Sequence, residues 1–91
     1  MDLHTKEGQP LHVSENIVYS KSGKVVGQIK GNLVFAPNGQ YVGTIVYDRL
    51  VHRTSDSATK GSAFATRRQS VAAKGRRSSS SITGNEPLIP E

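Results

Sequence analysis

The sequence predicts an all-β domain over residues 1–65, made of three to four tandem β-hairpins running as a meander, followed by a disordered basic tail over 66–91. Three observations predict it. A unit of about 16 residues recurs through Ile17 to Tyr47. Each copy sets β-branched and aromatic residues on both sides of a turn-forming trio that ends in glycine, the composition of a hairpin and not of a helix. Past Thr66 large apolar side chains nearly vanish, and arginine and serine replace them.

In chain order, Thr5-Lys6-Glu7-Gly8-Gln9-Pro10-Leu11-His12-Val13 reads as a worn copy of the unit, with Leu3 to Thr5 as its first arm and Ser14-Glu15-Asn16 as the link onward. Pro10 donates nothing to a ladder and belongs near the start of its strand or on a sheet edge. The two full copies are Ile17 to Ile29 and Leu33 to Ile45. Pro37 presets φ at the second position of a type I turn, Asn38 suits the third, and Gly39 takes the left-handed conformation that a three-residue loop with a G1 bulge requires. Lys21-Ser22-Gly23 does the same in the earlier copy, and Gly31-Asn32 turns the chain between them. Gly27 and Gly43 recur inside their strands. They mark either a bulge or a place where neighbouring hairpins crowd together.

Arg49-Leu50-Val51-His52-Arg53 opens an apolar triplet in the register of a fourth copy. A longer turn from Thr54 to Gly61 follows, with Ser62-Ala63-Phe64-Ala65 as a candidate return strand; the alternative is that order ends near Arg53. The stretch from Arg67 to Ser81 cannot bury enough surface to offset its ordering entropy and reads as disordered. Between Ser57 and Asn85 there are six basic residues and no acidic one, so the chain's net charge of +5 belongs to this region. Glu86 to Glu91 reads as a frayed end or a short docking peptide.

Units of the form aromatic-x-x-x-Gly-Lys/Gln-x-Val-Gly-x-Ile resemble those of the bacterial four-fold β-flower domains. Tyr19, Gly23, Lys24, Val26, Gly27 and Ile29 carry the resemblance in one copy, and Phe35, Gly39, Gln40, Val42, Gly43 and Ile45 in the next. It implies four hairpins set around a pseudo-four-fold axis, and it brings no catalytic residues with it.

Composition narrows the function. A chain of 91 residues, 34% hydrophobic and 5% aromatic, has a thin core with no room for a large catalytic cleft. It has no cysteine, which removes disulfides and thiolate metal sites. No stretch reaches the roughly 20 apolar residues of a membrane helix, and Met1 to Thr5 lacks the regions of a signal peptide, so a soluble cytoplasmic protein is expected. His4, His12 and His52 are not at metal-ligand spacing, and neither a metal nor another cofactor is expected. Gly23-Lys24 and Gly39-Gln40 precede strands, unlike a phosphate loop, which leads into a helix. No nucleophile elbow or paired-carboxylate arrangement is visible, and a non-enzymatic role is expected.

Binding remains. Lys60, Arg67, Arg68, Lys74, Arg76 and Arg77 are the candidate contacts to an acidic partner, with nucleic acid the favoured ligand because counterion release drives such binding without sequence information. Any of Tyr19, Phe35, Tyr41 and Tyr47 that faces outward offers a stacking surface. The same cations also fit a merely solubilising tail. The alternative function is a protein-interaction or assembly module that pairs through exposed strand edges as a homo-oligomer or with another protein, the tail being incidental or regulated by phosphorylation at Ser70 or Ser78.

Overall fold

A computed structural model describes residues 2–56, 60–61 and 75–89. Seven strands form a closed barrel: β1 (Asp2–Thr5), β2 (Pro10–Ser14), β3 (Ile17–Tyr19), β4 (Val25–Lys30), β5 (Leu33–Phe35), β6 (Tyr41–Val46) and β7 (Arg49–Val51). Each strand pairs antiparallel with the next in sequence. The seam is different. There β1 runs parallel to β7, with His4 opposite Arg49 and Thr5 opposite Leu50.

The sequence reading foresaw strands but not this closure. A closed barrel has no free edge along its ladder, so β1 to β7 offer no exposed strand for a partner to extend. The edge-pairing route to assembly is therefore withdrawn for these strands.

Three hairpin turns have one geometry. The amide of Gly8 donates to the Thr5 carbonyl, that of Gly23 to Ser20 and that of Gly39 to Ala36, at 2.9, 3.0 and 2.8 Å. In each, the residue after the glycine supplies the carbonyl that closes the loop: Gln9 to the Thr5 amide, Lys24 to Ser20, Gln40 to Ala36. All three glycines have φ near +90° (94°, 89° and 87°), the left-handed conformation that closes a type I turn with a bulge.

The core follows the repeat. Val18, Val34 and Leu50 stand 16 residues apart in sequence and are fully buried, packed with Leu3, Leu11 and Val26. In the two full copies the register shifts after Val18 and after Val34, and Gly27 and Gly43 sit opposite those valines. These glycines also face the next hairpin closely. A Cβ on Gly27 would lie 2.5 Å from the Phe35 carbonyl oxygen and 2.7 Å from Val34 Cγ1. At Gly43 it would meet Leu50 Cδ1 at 2.9 Å and the Val51 oxygen at 3.0 Å. Bulge and close approach thus coincide.

After β7 a 3₁₀ turn over Thr54–Asp56 is pinned to β6 by a chain of donors. The Arg53 amide donates to Tyr41 Oη at 3.0 Å; the Tyr41 and Thr44 hydroxyls share a 2.6 Å bond; Thr44 Oγ1 donates to Asp56 Oδ2 at 2.7 Å. With Asp56 accepting, the Thr44 proton is committed, so Tyr41 is the donor to Thr44. The candidate return strand Ser62 to Ala65 and the boundary at 65/66 lie outside the described residues. Among the described residues it is Asn85 that bridges antiparallel to His52.

Residues 75–89 run along the barrel and not away from it. The Arg77 amide donates to the Gly8 carbonyl at 2.9 Å and the Ser80 amide to Lys6 at 2.7 Å. Pro87 is buried, and Ile89 packs against the core cluster. The segment carries little apolar surface of its own. Here the segment is held largely by polar groups that the β1–β2 turn leaves open, and by two apolar side chains near its end.

Candidate functional site

Arg49, Arg76 and Arg77 gather around the β1–β2 turn and the start of β7. Gly8 turns the chain left-handed there, and a side chain on it would collide with the Arg77 carbonyl. That contact seats the backbone at Arg77, and both Arg76 and Arg77 are exposed. Arg76 Nη2 donates to the Glu7 carbonyl at 3.2 Å, and Arg77 Nη1 pairs with Asp48 Oδ2 at 2.5 Å.

Beneath them lies Arg49, which sequence reasoning did not select. Its Nη1 donates to the Ser78 carbonyl at 2.8 Å and to those of Thr5 and Lys6 at 3.2 and 3.4 Å. One guanidinium thus joins the strand seam to the anchored segment. Its place on β7 beside Asp48 hid it, because it reads there as an ordinary strand residue. His4 is also an anchor: its Nε2 donates to the Gly75 carbonyl at 3.1 Å, and its Nδ1 is buried without a hydrogen-bond partner among the described residues.

Acidic groups are present too. Glu86 accepts from the Thr5 hydroxyl at 2.8 Å and the Glu7 amide at 2.9 Å, and is committed to the fold. Asp48 holds Arg77, with Arg49 Nε at 3.8 Å from its other oxygen.

Lys60 is exposed at a different turn, where it bridges Gln40 and the next amide, Gly61, donates to the Gly39 carbonyl at 2.7 Å. Of the six predicted cations, Arg76 and Arg77 are thus brought together, and Lys60 stands apart. Arg67, Arg68 and Lys74 lie outside the described residues. Both flanks of residues 62–74, at Gly61 and Gly75, are fixed on the barrel.

Among the aromatic residues, Phe35 is buried and Tyr41 is taken up by Thr44, Arg53 and an edge-on contact with His52 at 5.3 Å. Tyr19 is half-buried beside His12. Tyr47 is 90% exposed.

An open groove of about 560 Å³ lies between His52–Ser55 and Thr83–Asn85. It is lined by hydroxyls, an amide and Arg53, whose Nε is buried without a hydrogen-bond partner among the described residues. Asp48, His52 and Asp56 do not converge: each faces a different neighbour. Among the described residues no three His, Cys, Asp or Glu side chains are grouped to hold a metal, and no helix is long and apolar enough to cross a membrane. Comparison with family models, with curated proteins and with solved structures gave no match.

Proposed function

We propose that this protein is a non-enzymatic, cytoplasmic binding module that uses its basic segment to hold nucleic acid, the barrel serving to present that segment. The observation that carries this reading is the seating of Arg77 on the Gly8 turn, with Arg76 beside it and Arg49 beneath, within a stretch that has six cations and no carboxylate. Preordered cations lose less entropy on binding than those on a free tail. The exposed Arg77–Asp48 pair is worth little in water, so a phosphate displaces the carboxylate at small cost.

The fold reading that goes with it is a hairpin-repeat barrel of the four-fold β-flower type. In support, Gly84 has φ +137° and precedes Asn85, which closes onto His52 much as Gln40 closes onto Ala36. On this reading Gly84 to Ile89 supplies the return arm of the fourth hairpin. Arg76 and Arg77 then lie on the seated stretch that leads into that arm.

The test is fluorescence anisotropy of full-length protein with mixed-sequence single-stranded RNA across a salt series, against the double variant Arg76→Gln/Arg77→Gln. Removing two phosphate contacts lowers the slope of log K against log salt by about 1.4. An unchanged slope contradicts the assignment. Truncation at Thr66 is a poorer test, since it also removes Pro87 and Ile89 from the barrel.

A protein-interaction or assembly role is the second reading. Leu88 favours it, being 92% exposed at the rim of a hollow formed with Ala36, Tyr41, Val42 and His52. It requires a solution mass well above 9.8 kDa or a captured partner.

A further inference from the structure

We infer that Tyr47 is a stacking platform for an unpaired base, which narrows the ligand class to single-stranded nucleic acid; this rests on the reading of the basic segment given above. The turns joining successive hairpins place a left-handed residue at the same point of each repeat: Glu15 at φ 50°, Gly31 at 64° and Tyr47 at 57°. Glycine adopts this conformation freely. A tyrosine does so at a cost that the two-residue turn pairing Val46 with Arg49 imposes, and its ring, 90% exposed, packs on nothing in the core. The turn accounts for the backbone but not for a large exposed ring where glycine or asparagine would serve with less strain, and that choice points to a ligand for the ring.

The surroundings say which ligand. Asp48, the next residue, carries the exposed Arg77 guanidinium, which is a cation for the phosphodiester beside a base stacked on Tyr47, whereas Arg49 is largely buried and held by carbonyls. Every base has a π-face, so such a platform accepts any sequence, provided the base is unpaired. A duplex offers no such face except at its ends. The pairing of one exposed ring with a neighbouring arginine matches the way single strands are held, by stacking and by charge together.

The test uses the full chain with labelled single-stranded RNA of mixed sequence and, in parallel, a duplex of the same sequence. Tyr47→Gly and Tyr47→Ala weaken single-strand binding by about 5- to 150-fold, the loss of one stacked base, and leave duplex binding unchanged; Tyr47→Trp retains single-strand binding. Thermal melting keeps the result interpretable, because Tyr47→Gly relieves the backbone strain and does not lower the midpoint. Equal single-strand affinity in wild type, Tyr47→Gly and Tyr47→Ala overturns the stacking role and leaves the basic-segment reading standing. A wild-type protein that binds no single-stranded RNA at low salt overturns both.

Discussion

The amide of His52 donates to the Asn85 carbonyl at 2.7 Å, and the amide of Asn85 returns a bond to the His52 carbonyl at 2.8 Å. This reciprocal pair ties the end of β7 to a residue 33 positions later in the chain. Between them the chain also meets the barrel at Gly39 through Gly61, and at Gly8 and Lys6 through Arg77 and Ser80. The basic stretch is thereby given fixed ends, and the predictions below test what fixes them.

Gly27→Ala destabilises the barrel by about 1–3 kcal/mol, the cost of forcing a methyl into a filled site. The new Cβ strikes a backbone oxygen, Phe35 O, which cannot move without the ladder. Gly43→Ala costs less, because its nearest backbone obstacle, Val51 O, stands at 3.0 Å, against 2.5 Å for Phe35 O at Gly27. Urea denaturation of the two variants checks the order; equal costs contradict the close-approach account.

Thr44→Val removes the hydroxyl that links Tyr41 to Asp56 while keeping the shape of the side chain. Two polar partners are left unmade, at a cost of about 1–3 kcal/mol. The 3₁₀ turn then loses its tie to β6, so amide exchange at Asp56 quickens by more than at core positions such as Val34. Uniform quickening across the barrel contradicts a local tie.

Much of the hairpin architecture was legible because turn chemistry is local. Pro37, Asn38 and Gly39 dictate their own backbone angles, and Gly8 and Gly23 repeat the result. The apolar centres Val18, Val34 and Leu50 were legible from their spacing. Closure was not. It depends on β1 meeting β7 in parallel, a contact between the two ends of the strand order that no short-range pattern encodes. The seating of residues 75–89 was hidden for a related reason: it uses carbonyls of Lys6 and Gly8 as acceptors, and backbone carbonyls carry no sequence signature. In the candidate site, Arg76, Arg77 and Lys60 were visible by composition. Arg49 was not, and Tyr47 stood only among several aromatic residues. Its one legible signal was its position, where the other copies place Glu15 and Gly31.

The central claim is that the barrel seats the basic segment from Gly75 onward, and native-state hydrogen exchange on the full-length protein tests it most directly. The amides of Arg77, Ser80 and Asn85 donate to barrel carbonyls. The account predicts that they exchange well below the rate of an open chain, and that Gly8→Ala, which collides with the Arg77 carbonyl, speeds exchange at Arg77 and Ser80 more than at Asn85. Open-chain exchange at all three amides in the unmodified protein would contradict it.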